Sequence, residues 1–152
     1  MPVGSLATMS IWTRTPDLPE VNRTLIVGHA AHLGIKAVAC DDNSFTTAMP
    51  VTEVTRQPDG LLSGGASAAL AEITAGMAGA HCIDGERQFV VGQELNISHL
   101  RSARSGEVTA TARPLRLGGR SQVWQIDIRD ESGALVATSR LTNVILERRS
   151  PL

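Results

Sequence analysis

Residues 57–79 read QPDGLLSGGASAALAEITAGMAG, and their reading decides the fold. The stretch opens on a Pro-Asp-Gly turn signal. Ser63 stands where a helix N-cap belongs, ahead of the pair Gly64 and Gly65. Small and apolar residues follow. Ala66, Leu70, Ile73 and Met77 recur at helical spacing, so a helix is expected over 64–80 with that stripe against a core. A single carboxylate, Glu72, interrupts the apolar run. A lone acid on such a helix is costly to bury unless it is paired or used. The first N–H groups, at Gly64 and Gly65, are bare of side chains and offer a site for an anion or a developing oxyanion. A base and an anion site on one helix point to acyl chemistry.

Outward from this helix the pattern changes. Upstream, residues 17–25 (DLPEVNRTL) read as a short helix with Pro19 in its first turn. Residues 29–34 read as a loop or second short helix. Strands are expected over 35–39 and over 45–54, with Pro50 interrupting the second at an edge or bulge. Downstream, residues 88–98, 107–117, 121–129 and 134–147 alternate with period two. Trp124, Ile126 and Ile128 face one way, and Gln125, Asp127 and Arg129 the other. Short turns at Gly118 and Gly119 and at 130–133 make these strands an antiparallel meander of three or four strands. One long apolar helix needs a sheet wrapped around it to bury its surface, so the class is α+β.

The 152 residues suffice for one domain with a sizeable core, covering 1–152 with 1–10 as a loose extension and Met9 as an alternative start. Net charge is −1, which excludes a chain that tracks nucleic acid or anionic lipid as a whole. Nine of the thirteen arginines lie between Arg101 and Arg149, and Lys36 is the only lysine. Such a distribution fits phosphate binding, with a solvated sheet face as the alternative. Cys40 and Cys82 are too few for a disulfide framework and read as free thiols in a reducing compartment. No apolar run is long enough for a membrane span, and the first residues lack a signal-peptide pattern, so the cytoplasm is expected. His29 and His32 have no third ligand nearby, so no metal site is expected. Ser67 is not in a G-x-S-x-G setting, and there is no GxxxxGK phosphate loop.

Three segments carry a resemblance: 57–72 (QPDGLLSGGASAALAE), 90–96 (VVGQELN), and Leu117-Gly118 followed by Trp124. Together they resemble the hotdog-fold acyl-CoA thioesterases, closest to the aryl-CoA branch. That branch holds 4-hydroxybenzoyl-CoA thioesterases with a helix glutamate, 1,4-dihydroxy-2-naphthoyl-CoA thioesterases and the proofreading thioesterases of enterobactin synthesis. The resemblance spans roughly residues 11–146. It implies that Glu72 is the catalytic carboxylate, as nucleophile or general base. It implies that Gly64 gives its N–H to the thioester oxygen and that Gln57 places substrate or water. It implies that His99 and Arg101 lie near the pantetheine arm or nucleotide phosphates of coenzyme A. Gly119, Arg120 and Ser121 match a phosphate-contacting hairpin, to which Arg148 and Arg149 could add charge, with a frayed basic tail as the alternative. No cofactor beyond the coenzyme A of the substrate is implied.

Two positions depart from the family pattern. Ser63 stands where the family has a histidine near the thioester, and serine lacks an imidazole donor of that reach. Gly76 replaces a polar residue one turn past the glutamate. A hotdog acyl-thioester dehydratase or hydratase and a non-catalytic acyl-CoA-binding hotdog protein are the alternatives to a hydrolase.

Spacing adds an independent expectation. Glu72 follows Gly64 by eight residues, about 12 Å along a helix axis. One thioester can hardly touch both. A second subunit related by a two-fold axis can supply the missing half, so a homodimer with two equivalent interface sites is expected. The resemblance implies that such dimers pair into a homotetramer.

Overall fold

The computed structural model describes residues 9–148. Residues 1–8 of the expected extension, and Arg149, lie outside the described residues. Asp17 caps α1 (Leu18–Thr24), its carboxylate accepting the Glu20 N–H at 2.8 Å, and Pro19 sits in the first turn. A second short helix, α2 (Gly28–Leu33), follows. Asn22 ties α1 to the sheet. Its amide nitrogen donates to the Ala37 carbonyl at 2.9 Å, and its oxygen accepts the Ala37 N–H at 2.8 Å.

Six strands follow or flank the long helix α3 (Gly64–Ala80): β1 (Lys36–Asp41), β2 (Ser44–Pro50), β3 (Gln88–His99), β4 (Glu107–Leu117), β5 (Ser121–Asp130) and β6 (Leu135–Glu147). They form one antiparallel sheet in the order β1-β2-β4-β5-β6-β3. The helix lies across its inner face and touches β2 through β6. Trp124, Ile126 and Ile128 point inward and are fully buried, with Phe45, Met49, Val108 and Leu141 around them. Burying each such side chain contributes about 1.5–3 kcal/mol. The outer face is polar: Thr46 and Thr111 share a hydroxyl hydrogen bond of 2.9 Å, and Thr138 donates to Asp127 at 2.9 Å.

Two expectations need correction, and one open alternative closes. Residues 51–54 are not strand, because the chain turns away at Pro50. The buried Thr55 hydroxyl holds that corner, accepting the Thr52 N–H at 2.9 Å and donating to the Pro50 carbonyl at 2.8 Å. Of the three or four strands expected in the meander the structure has three, β4, β5 and β6. β3 pairs with β6 at the sheet edge, so residues 100–106 carry the chain back across the sheet to β4. Finally, the core face of α3 is Ala66, Ser67, Leu70, Ala71, Thr74, Ala75, Ala78 and Gly79. Ile73 and Met77 are only half-buried and lie to one side of it.

Candidate active site

The loop before α3 is a small hairpin. Arg56 bridges Leu62, and the Gln57 N–H donates to the Leu61 carbonyl at 2.8 Å. Gly60, at φ +76°, supplies the left-handed residue that this turn requires. The Leu62 N–H donates to the Ala103 carbonyl at 2.8 Å and the Ser63 N–H to the Thr55 carbonyl at 2.8 Å, so the helix start is held from both sides. Ser63 has the extended backbone of an N-cap (φ −64°, ψ 136°), but its side chain makes no capping bond. The expected hydroxyl cap is therefore absent. The Ser63 carbonyl accepts from the Ser67 N–H and hydroxyl instead, at 3.1 and 3.3 Å. Among the described residues, no acceptor meets the N–H groups of Gly64, Gly65 or Ala66. The positive end of the helix dipole is thus open to an anion.

This mouth opens on a cavity of about 380 Å³ lined by Gln57, Gly64, Ser67, His99 and Arg101, among others. Four of the residues singled out in sequence meet there: Gln57, Gly64, His99 and Arg101. His99 and Arg101 arrive from the end of β3, where the Leu100 and Arg101 N–H groups both donate to the Val136 carbonyl, at 2.8 and 3.1 Å.

Glu72 lines a different cavity, of about 760 Å³, between α3 and the α1–α2 pair. Leu25, His29, Ala69, Ile73 and Met77 line it as well. The acid is exposed in the protomer rather than buried, so the desolvation cost expected for it does not arise within one chain. Its carboxylate leans over Gly92 on β3, where a Cβ would stand 2.6 Å from Glu72 Oε1. Gly92 sits at a register shift in the pairing of β3 with β6. In sequence Gly92 stood within the 90–96 segment with no role of its own, and α1 and α2 had none. A glycine inside a strand pattern was the sign that its backbone is approached closely.

Gly119, Arg120 and Ser121 line neither cavity. Gly119 and Arg120 lie in the β4–β5 turn and Ser121 opens β5, its carbonyl accepting the Gly118 N–H at 3.0 Å. Arg148 is not a frayed end. Its N–H donates to the Arg87 carbonyl at 2.7 Å, and its guanidinium donates to the Gly85 carbonyl at 2.9 Å and lies 5.4 Å from the Phe89 ring centroid. Neither cysteine has the environment of a nucleophile. Burial, and then the nearby Cys40, push the Cys82 thiol up to about 12, and burial raises Cys40 as well. Among the described residues no group of three or more His, Cys, Asp or Glu side chains could hold a metal ion, and no helix is long and apolar enough to cross a membrane.

A helix wrapped by an antiparallel sheet, with free donors at its mouth and one carboxylate two turns on, can bind and polarise a carbonyl. The sequence pattern of the thioesterase superfamily matches residues 59–137, and the chain belongs to that superfamily. It is a thioester hydrolase built on the hotdog fold. It is 46% identical to the 1,4-dihydroxy-2-naphthoyl-CoA hydrolase of Escherichia coli, over 90% of this chain and 99% of that protein. It is 44% identical to a proofreading thioesterase of Cronobacter sakazakii, over 90% of this chain and 98% of the relative. A crystal structure of a mutant thioesterase from Pseudomonas aeruginosa superposes with a TM-score of 0.90 at 42% identity, covering 91% of this chain and all of that one.

Proposed function

We propose that this protein hydrolyses an acyl-CoA thioester, with an aryl or medium-chain acyl group, or the same acyl group on a carrier-protein pantetheine. The Gly64 N–H of one subunit holds the carbonyl oxygen, and Glu72 of a second subunit acts at the carbonyl carbon. As a base, Glu72 takes a proton from water, and the hydroxide adds to the carbon. The C–S bond then breaks and the proton passes to the departing thiolate. As a nucleophile, the carboxylate itself adds, expels the thiolate and forms an anhydride that water opens. Gln57 orients the thioester or the water. His99 and Arg101 lie near the pantetheine arm or the nucleotide phosphates, and the Gly119, Arg120 and Ser121 turn of a subunit contacts the nucleotide phosphates. The chain acts as one domain, in a homodimer that pairs into a homotetramer, in the cytoplasm and without a further cofactor.

One observation carries this reading: Gly64 and Glu72 sit on one helix yet open into separate cavities of the same protomer. A shared site then needs a second copy. The names of the relatives, one a hydrolase of an aryl-CoA, support the substrate class. Thiol release from a panel of aryl- and fatty-acyl-CoA substrates, followed with a thiol-reactive dye, tests it. Glu72→Ala is expected to lower turnover at least about a hundredfold. A variant that cleaves benzoyl-CoA at the parental rate would remove Glu72 from the mechanism. Saturable binding without thiol release by the unaltered protein would instead favour a non-catalytic acyl-CoA binder.

A further inference from the structure

We propose that His99 is a second donor to the thioester carbonyl oxygen, so that its imidazole and the Gly64 N–H hold the developing oxyanion together. The inference rests on the hydrolase reading above, with the carbonyl oxygen at the Gly64 N–H. Its basis is a contact that the sequence does not show. A Cβ built on Gly64 would stand 3.0 Å from His99 Nε2, 3.3 Å from Cε1 and 3.6 Å from Cδ2. The imidazole therefore presents its Nε2 edge to the first residue of α3, in the space that a side chain at position 64 would fill. Among the described residues neither ring nitrogen of His99 has a hydrogen-bond partner, and the ring shares the 380 Å³ cavity with Gln57 and Gly64.

The backbone beneath the ring is held. His99 pairs with Ala137 across the sheet, and the two residues after it donate to the Val136 carbonyl. An N–H donor next to a helix N-terminus adds to the field that favours negative charge on the oxygen. Ser63, the residue before Gly64, has only a short hydroxyl to offer. His99 is thus the imidazole that the structure brings to the mouth, from a strand end 35 residues further along the chain.

Two measurements on one set of variants test this. In steady-state turnover of benzoyl-CoA, His99→Ala is expected to lower kcat about a hundredfold, the usual effect of losing one oxyanion donor, with KM nearly unchanged. His99→Gln, which keeps a neutral donor, should recover part of that loss. A raised KM at parental kcat would overturn the proposal and leave His99 as a wall for the pantetheine arm.

The second measurement needs no turnover. The carbonyl stretch of benzoyl-CoA bound to Glu72→Ala should lie below its solution frequency, and adding His99→Ala should move it back toward that value. A band indifferent to His99 overturns the proposal. A parental protein that releases no thiol, with a band that still follows His99, sinks the hydrolase reading and leaves this contact standing.

Discussion

A methyl group on Gly92 would meet Glu72 Oε1 at 2.6 Å and Glu72 Cδ at 3.4 Å, with Leu141 Cδ1 at 3.6 Å behind them. The crowded atoms are the free end of an exposed side chain, which can swing aside at little cost to folding. Gly92→Ala is therefore expected to leave the unfolding temperature within a few degrees of the parent while moving the carboxylate. A displacement of about 1 Å at a reacting group can cost on the order of a hundredfold, so kcat should fall clearly with little change in stability. Thermal unfolding and thiol-release kinetics on the same sample separate the two effects, and parental kcat would show that Glu72 has room on another side. Glu72 and Gly64 were legible in sequence because each is an anomaly, an acid in an apolar run and a side-chain-free helix start. Gly92 was not, since its role depends on an atom 20 residues away in sequence that only the folded sheet brings over it.

Within α3, two glycines that look alike in sequence sit in different surroundings. A Cβ on Gly76 meets nothing within 4 Å. A Cβ on Gly79 would collide with Gln122 Oε1 and lie 2.7 Å from Asn143 Nδ2, and both of those side chains are buried. Gly76→Ala is expected to stabilise the protein by about 0.5–1 kcal/mol through helix propensity alone. Gly79→Ala should destabilise it by about 1–3 kcal/mol, because the Gln122 bond to the Gly79 carbonyl at 3.1 Å and the Asn143 bond to the Ala75 carbonyl at 3.3 Å leave those amides little freedom. Chemical denaturation of the two variants checks both signs. The bounds of this helix were readable because the Ser-Gly-Gly start and the apolar run agree. Its core face was not, because polar residues hide in it. Thr74 returns its hydroxyl to the Leu70 carbonyl at 2.6 Å and Ser67 to the Ser63 carbonyl, which lets both pass as small core residues while Ile73 and Met77 turn to the cavity. The place of β3 was equally hidden, since turn signals report neighbours in sequence and β3 pairs with the last strand of the chain.

At the scale of the whole molecule, β3 is a 12-residue strand whose outer edge has no partner among the described residues, and Glu72 on α3 is exposed. A long open edge is a template for pairing with another chain. The proposed two-fold arrangement would bring Glu72 of one copy to the helix mouth of the other, and subunit mixing tests that arrangement directly. Glu72→Gln removes the base. Gly64→Pro removes the N–H and keeps the helix, because proline is favoured at the first helical position and the extended backbone of Ser63 suits a residue before proline. The exposed His99 ring can turn aside for the added atoms. Each variant alone should be inactive. In a mixed dimer, one site carries both lesions and the other carries neither. Random pairing of equal amounts makes half of the dimers mixed, so co-expression should restore about a quarter of parental turnover. If each protomer built its own site from its own Glu72 and Gly64, no combination could restore any, because every chain in the mixture carries one lesion. Recovery therefore separates a shared site from a private one without requiring that the acyl group be known beforehand.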